Sequence, residues 1–203
     1  EPVAIEFEWG TPVDPGKVEE VLKQHPDAVA LAFVHSETST GVRSDAETLC
    51  QLAQDHDCLN IVDAVTSLGG IELRVDDWGI DAIYSGTQKC LSAPPGLSPV
   101  SFNEKAMAKV KSRQSPAQSW FLDLNLLTGY WGPGAKRAYH HTAPINSLYA
   151  LDEALRILQN EGLENAWKRH ANNHLKLRAG LQAMGLEFYV DEQYRLPQLN
   201  AVV

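Results

Sequence analysis

The sequence predicts an α/β fold with a mostly parallel β-sheet. Short apolar runs at 27–34, 59–63 and 81–85 have the length and composition of strands buried on both faces. A helical pattern at 44–57 separates the first two runs, and such alternation is typical of parallel sheets. A fourth run at 97–102 follows after only a Pro-Pro-Gly break. Because a parallel connection needs a long crossover, this strand should be antiparallel.

The helices that flank the first strand have their own start signals. Asp14 and Pro15 suit the N-cap and first position of a helix that reaches about Gln24. Ser44 and Glu47 match a capping box at the start of the next helix. These signals predict one helix before the first strand and one after it.

The pattern changes after Pro144 to two long helices, which end at Gly162 and Gly185. A strand is expected at 186–190, and a domain change is predicted near it. The chain begins without methionine and ends on an apolar run. We therefore interpret it as the middle of a longer protein.

Composition excludes several classes of function. A net charge of −9 and a pI near 5.2 argue against nucleic acid or an anionic membrane, because phosphates attract clustered Lys and Arg. The three cysteines show no CxxC spacing, so neither a disulfide framework nor a metal site is indicated, and a cytoplasmic location is expected. No run approaches the roughly 18 apolar residues of a membrane span. Small-molecule chemistry is the expected function.

Polar residues follow the carboxyl ends of three predicted strands. The hydroxyl-rich stretch HSETSTG at 35–41 follows the first, Asp63 ends the second, and Ser85 ends the third, four residues before Lys89. Ligands of open parallel sheets bind outside these ends. Hydroxyls, a carboxylate and a lysine should therefore lie on one side of the sheet.

Lys89 and Asp63 suit chemistry with an aldehyde cofactor. A lysine with a pKa of about 10.4 is a poor nucleophile at neutral pH, and bringing it to about 7 takes roughly 4 to 5 kcal/mol. A Schiff base with an aldehyde avoids this cost, and a carboxylate on a pyridine nitrogen keeps that ring protonated as an electron sink. Such a site needs one lysine, one aspartate and small polar donors for a phosphate.

Three stretches carry a family resemblance: VDAVTSLGG at 62–70, IYSGTQKCLSAPPG at 83–96 and YHHTAPINSLYAL at 139–151. They resemble class V pyridoxal-phosphate aminotransferases, most closely the alanine–glyoxylate (serine–pyruvate) aminotransferases. The resemblance implies a type I pyridoxal-phosphate transferase fold and amino transfer from alanine or serine to a 2-oxo acid such as glyoxylate. It also implies that 1–144 is part of a large cofactor-binding domain without its N-terminal portion. Residues 145–203 would be connecting helices and the start of a smaller, truncated α+β domain.

The resemblance assigns roles around the cofactor ring. Lys89 matches the lysine that binds the cofactor aldehyde and then moves the substrate α-proton. Asp63 matches the partner of the pyridine nitrogen. Val65 matches the residue that packs under the ring, and Thr38 the residue that hydrogen-bonds the phenolic oxygen.

The resemblance also implies a homodimer with shared active sites. Gln88 matches a phosphate contact, whereas Tyr139 and Thr142 match phosphate contacts supplied by the neighbouring subunit. The ring-stacking aromatic residue and the arginine that binds the substrate carboxylate would lie outside this chain. Arg195 comes too early to match that arginine.

The residues alone leave simpler alternatives open. Lys89 could be a solvated loop lysine and Asp63 a helix N-cap. Thr38 and Gln88 could satisfy loop backbone groups. Cys90 raises the alternative of a cysteine desulfurase, although small packing is the simpler interpretation.

Paired histidines suggest further alternatives. His140 and His141 are expected to be structural, and His170 and His174 are expected on a solvated helix face rather than at a metal. Kynurenine-type or serine–glyoxylate activity, or a non-catalytic subunit of the kind labelled as a soluble hydrogenase small subunit, are the alternative functions. Retention of Lys89 and Asp63 favours an enzyme.

Overall fold

The computed structural model describes residues 1–132, 134 and 138–203. Its strands are β1 (Ala30–Val34), β2 (Ser36–Glu37), β3 (Val42–Arg43), β4 (Leu59–Asp63), β5 (Ala82–Tyr84) and β6 (Val100–Phe102). Its α-helices are α1 (Pro15–Gln24), α2 (Ala46–Asp55), α3 (Glu104–Lys111), α4 (Leu124–Trp131), α5 (Ile145–Glu161) and α6 (Leu163–Ala183). A short 3₁₀ helix spans Glu192–Tyr194.

The main sheet has the strand order β1-β4-β5-β6, and β2 and β3 form a separate hairpin. Strands β1, β4 and β5 are parallel, whereas β6 pairs antiparallel with β5. The predicted mostly parallel sheet with one antiparallel strand is therefore confirmed. The β2–β3 hairpin was not predicted, because strands of two residues carry too little pattern to recognise.

One face of the sheet packs against α1 and α2. Phe33, Val62 and Ile83 point into this core, where Leu49 of α2 is fully buried. The opposite face is open: Ile61, Tyr84 and Val100 have exposed fractions of 36%, 40% and 54%. The sequence predicted strands buried on both faces, and the described residues cover only one.

The start of α2 differs from the prediction. Asp45, not Ser44, is the N-cap, and its carboxylate accepts hydrogen bonds from the backbone N–H of Thr48 at 3.1 Å and from the Thr48 hydroxyl at 2.7 Å. The Ser44 hydroxyl instead accepts from the Val13 N–H at 3.1 Å. The predicted capping box is therefore wrong, because Ser44 fixes the N-terminal segment and the cap moves one residue along.

The other helix predictions have mixed outcomes. Asp14 caps α1 as expected, and both long helices end before glycines with φ near +84° and +82° at Gly162 and Gly185. Helices α3 and α4 were not predicted. The expected strand at 186–190 is reduced to a single bridge between Phe188 and Val202.

None of the helices in the described ranges is long and apolar enough to cross a membrane.

A buried carboxylate joins β4 to β5 at their amino ends, opposite the sheet edge that carries the candidate site. Asp81 is 3% exposed and accepts from the Asn60 N–H at 3.0 Å and from Asn103 Nδ2 at 2.7 Å. Asn60 Oδ1 in turn accepts from the Asp81 N–H at 2.8 Å. This exchange fixes β4 against the start of β5.

We expect Asp81→Ala to lower the free energy of unfolding by about 3 kcal/mol, because it leaves the buried Asn60 N–H and the partly buried Asn103 amide without an acceptor. Urea denaturation measures this change. The matched change at exposed Asp76, Asp76→Ala, should stay within about 0.5 kcal/mol. Equal losses in the two variants would contradict this assignment.

Candidate active site

The carboxyl edge of the parallel strands gathers the candidate residues of the first half of the chain. Thr38 lies in the β2–β3 turn just beyond β1, and Asp63 is the last residue of β4. Gln88 and Lys89 lie in the loop that follows β5. Because the strands are in parallel register, these positions meet at one edge, as the sequence predicted.

The Asp63 carboxylate is held at both oxygens. Oδ1 accepts from the Val65 N–H at 2.8 Å, and Oδ2 accepts from the Tyr84 hydroxyl at 2.6 Å. The first contact closes a turn, and no helix follows, so the helix N-cap alternative for Asp63 is wrong. The second contact crosses to the neighbouring strand. The carboxylate is therefore oriented before any ligand binds.

Tyr84 is a contact of the Asp63 carboxylate that the sequence did not reveal. Its hydroxyl group donates to Asp63, and this hydrogen bond, together with burial and the carboxylate charge, raises the pKa of Tyr84 to about 12. The two residues are register partners on β4 and β5. Tyr84 could have been found only by aligning the ends of the two strands, and sequence alone does not fix that register.

The loop that carries Lys89 is fixed by its backbone. Buried Thr87 donates its hydroxyl to the Pro94 carbonyl at 2.7 Å, and its own carbonyl accepts from the Ala93 N–H at 3.0 Å. The Lys89 carbonyl accepts from the Ser92 N–H at 2.9 Å. The Lys89 side chain is half-buried. The loop therefore presents Lys89 from a closed turn.

Glycine at position 86 lets two candidate residues pack close to the backbone of this edge. A Cβ atom there would lie 3.5 Å from Val65 Cγ1 and 3.0 Å from Gln88 Oε1. Val65 and Gln88 therefore both approach the Gly86 backbone, and a larger residue at position 86 would displace the Gln88 side chain.

Cys90 packs beneath the site rather than opening into it. Burial raises the pKa of its thiol, and Sγ donates to the Thr66 carbonyl over 3.6 Å. A thiol with a raised pKa is a poor nucleophile at neutral pH. The environment of Cys90 therefore suits a small packing residue rather than the cysteine-desulfurase alternative.

Tyr139 and Thr142 lie apart from this edge within the chain. They are exposed in the segment before α5, and their hydroxyl oxygens are 2.8 Å from each other. Among the described residues, no hydrogen bond joins them to Lys89 or Asp63. The structure therefore places the five residues Thr38, Asp63, Val65, Gln88 and Lys89 at one edge and leaves this pair outside it.

His140 and His141 fix the segment that carries Tyr139 and Thr142. His140 Nε2 donates to the Trp120 carbonyl at 3.1 Å, so its Nδ1 accepts from His141 Nδ1 at 2.8 Å. The His140 ring stacks on Trp120 at a centroid distance of 4.1 Å. Both ring nitrogens of His140 are thus used in holding the segment, as a structural role requires.

The fold and the residues at its edge define an α/β ligand-binding domain with a lysine and a carboxylate in its site. Comparison with known proteins identifies the family: residues 4–203 match the model of the class-V aminotransferases. The chain is 45% identical over 188 residues to the alanine–glyoxylate aminotransferase of Mus musculus, covering 92% of this chain and 45% of that protein. It therefore belongs to the class-V aminotransferase family, which confirms the resemblance.

Two further relatives agree. The (S)-ureidoglycine–glyoxylate transaminase of Bacillus subtilis is 37% identical over 217 residues, covering 98% of this chain and 51% of that protein. The crystal structure of an alanine–glyoxylate aminotransferase from Nostoc sp. superposes with a TM-score of 0.93 at 43% identity, covering 98% and 52% of the two chains. The predicted fold type is thereby confirmed. This chain spans about half the length of these relatives.

The contact between Tyr84 and Asp63 can be measured by titration. We expect Asp63→Asn to lower the pKa of Tyr84 from about 12 towards the ordinary phenol value of about 10, because the neutral amide no longer disfavours the phenolate. Ultraviolet difference titration with Tyr84→Phe as the reference isolates this phenol. Asp76→Asn, which removes an exposed charge elsewhere, should leave it unchanged. A Tyr84 pKa unaffected by Asp63→Asn would refute the contact.

Proposed function

We propose that the protein containing this chain is a pyridoxal-phosphate-dependent aminotransferase that moves an amino group from a small amino acid, such as alanine or serine, to a 2-oxo acid such as glyoxylate. The observation that carries this proposal is the sheet edge that bears both Lys89 and an Asp63 carboxylate whose two oxygens are already oriented. The three relatives compared above all have glyoxylate in their names, whereas their amino donors differ. Their names therefore support the acceptor more strongly than the donor.

The residues at this edge fit pyridoxal phosphate. Lys89 offers an amine for the aldehyde, Asp63 an anion for the pyridine nitrogen, and Thr38 a hydroxyl for the phenolic oxygen. Val65 offers an apolar contact beneath the ring, and Gln88 an amide for the phosphate. Glycine at position 86 lets Val65 and Gln88 approach the same stretch of backbone, so that both can contact one ligand. When bound, the cofactor supplies an electron sink for the substrate carbanion.

Asp63 would act through its charge. An anion close to a pyridine nitrogen favours the protonated ring, which is the better electron sink. Tyr84 and the Val65 N–H each use one lone pair of the carboxylate, so each oxygen keeps another for the ring N–H. The carboxylate therefore does not need to reorient when the ring binds.

Lys89 would have two successive tasks. Its amine would hold the cofactor. The same amine, when free and neutral, would act as general base and general acid for the substrate α-proton. The hydrogen bonds of Thr87 and Ser92 fix the backbone from which Lys89 Nζ would act.

Tyr139 and Thr142 would complete the phosphate site of a partner subunit in a homodimer. Tyr139 is 77% exposed, and its hydroxyl lies 2.8 Å from that of Thr142, so the pair presents two adjacent hydroxyl groups at the surface. A two-fold axis would let each subunit lend this segment to the other.

In the proposed domain organisation, residues 1–144 belong to the large cofactor-binding domain, and residues 145–203 belong to the connecting helices and the smaller domain. The cytoplasm remains the proposed compartment.

The activity itself is the first test. We expect the full-length protein, loaded with pyridoxal phosphate, to form pyruvate from alanine with glyoxylate as acceptor, and Lys89→Ala to lower kcat at least about 10³-fold, because the lysine both holds the cofactor and moves the proton. A screen of serine and other small amino acids in the same assay identifies the preferred donor.

Borohydride provides the control for Lys89. Reduction of the loaded protein should fix the cofactor covalently on Lys89, and peptide mass spectrometry locates it. Lys105 and Lys109 lie on α3 and serve as internal comparisons. Cofactor found on either of these instead, or full activity in Lys89→Ala, would disprove the assignment.

Mixed dimers test the shared site. Neither Lys89→Ala nor the double variant Tyr139→Phe/Thr142→Ala should be active alone. After subunit exchange, each mixed dimer has one intact site and one site with all the changes, so activity should return to at most about a quarter of the unaltered protein. Enzyme assays before and after exchange measure the recovery.

The matched control mixes Lys89→Ala with Asp63→Asn. Both changes lie in the half of the site that one subunit provides, so no mixed dimer has an intact site and no activity should return. Exchange is monitored with differently tagged subunits. If exchange is complete and neither mixture recovers activity, Tyr139 and Thr142 act within their own subunit.

A further inference from the structure

The hydroxyl of Thr38 is held by a residue to which no role has been given. Thr66 Oγ1 lies 2.5 Å from Thr38 Oγ1. Thr66 is only 4% exposed, whereas Thr38 is exposed at the sheet edge. The buried hydroxyl therefore supports the exposed one from below.

The chemistry of two hydroxyls gives this contact a direction. A hydroxyl has one proton to donate and two lone pairs to accept with. An anionic oxygen at the sheet edge attracts the Thr38 proton, so the Thr66 proton must then be donated to Thr38 Oγ1. Donation from Thr66 polarises the Thr38 hydroxyl and strengthens its bond to the anion.

Thr66 is fixed in turn by the C-terminal part of the chain. Gln198 Nε2 donates to the Thr66 carbonyl at 2.9 Å, across 132 residues of sequence. The approach is close: a Cβ at Gly70 would lie 3.0 Å from Gln198 Cδ and 2.7 Å from Cys90 Sγ. Only glycine at position 70 leaves room for the Gln198 side chain.

The same C-terminal stretch also holds the turn that carries Thr38. The fully buried Leu196 donates its N–H to the Gly41 carbonyl at 2.9 Å, and Arg195 forms a bridge with Val42. A Cβ at Gly41 would lie 2.9 Å from the Leu199 carbonyl oxygen. Residues 195–199 therefore fix both hydroxyl-bearing turns relative to each other.

We infer that Thr66 is a positioning residue for Thr38, and that Gln198 holds Thr66 in place. The chain of contacts runs from the Gln198 amide to the Thr66 backbone, and from the Thr66 hydroxyl to the Thr38 hydroxyl at the site. This inference rests on the proposed function, in which Thr38 binds the phenolic oxygen of the cofactor. It assigns residues 195–199 an influence on cofactor affinity without any contact with the cofactor.

The test measures the Kd for pyridoxal phosphate in the full-length protein by absorbance titration. Thr66→Val keeps the shape but removes the hydroxyl, and Gln198→Met keeps the length but removes the amide. Each should weaken binding about fivefold, the effect of losing roughly one hydrogen bond. Thr66→Ser, which retains the hydroxyl, should stay within about twofold. The control Gln193→Met, at an exposed glutamine nearby, should bind like the unaltered protein.

A second background separates positioning from general stability. In Thr38→Val, neither Thr66→Val nor Gln198→Met should weaken binding further, because the contact they act through is gone. Equal weakening in both backgrounds, or unchanged binding by Thr66→Val, would overturn the inference. Loss of the cooperative melting transition in Gln198→Met would assign Gln198 a purely structural role instead. Failure of the unaltered protein to bind the cofactor would overturn the proposed function itself, and this inference with it.

Discussion

The parallel register of β1, β4 and β5 determines where the Asp63 carboxylate lies. The ladder continues to the last residue of β4, because the Asp63 carbonyl accepts from the His35 N–H at 3.0 Å and the Ala64 N–H donates to the Tyr84 carbonyl at 2.9 Å. Asp63 is thus fixed by its backbone on both sides before its side chain makes any contact. A shift of one residue would turn this side chain to the α1–α2 face.

Other parts of the candidate site depend on this register. Tyr84 reaches Asp63 because the two residues are register partners. The loop that carries Lys89 begins one residue later, where Ser85 donates its hydroxyl to the Ala64 carbonyl at 2.9 Å. The carboxylate therefore lies on β4 itself, and the loop that carries the lysine is anchored at the end of the neighbouring strand β5.

Sequence predicted the parts of the fold that depend on local pattern. Strands β1, β4 and β5 are short apolar runs, and the Asp14 cap and the stop at Gly162 are local signals, so each could be recognised without knowing its neighbours. The capping box at Ser44 was wrong because a long-range contact with Val13 uses its hydroxyl. The candidate residues at the sheet edge were predicted from strand ends, whereas Tyr84 and Thr66 act through contacts between separate segments. Those contacts depend on register and on chain segments far apart in sequence, which local pattern does not encode.

The two sides of the candidate site are held in different ways. Asp63 ends β4, and Lys89 lies in the loop that follows β5. The Asp81 side chain joins these two strands at their opposite, amino ends. Thr38 lies on a hairpin of two-residue strands, which is too short to be stable alone. Its position therefore depends on partners outside the hairpin, and residues 195–199 provide them through Gly41 and Thr66. In the proposed function, the contact of Thr38 with the cofactor would therefore be more sensitive to how the C-terminal stretch packs than the placement of Asp63 on β4.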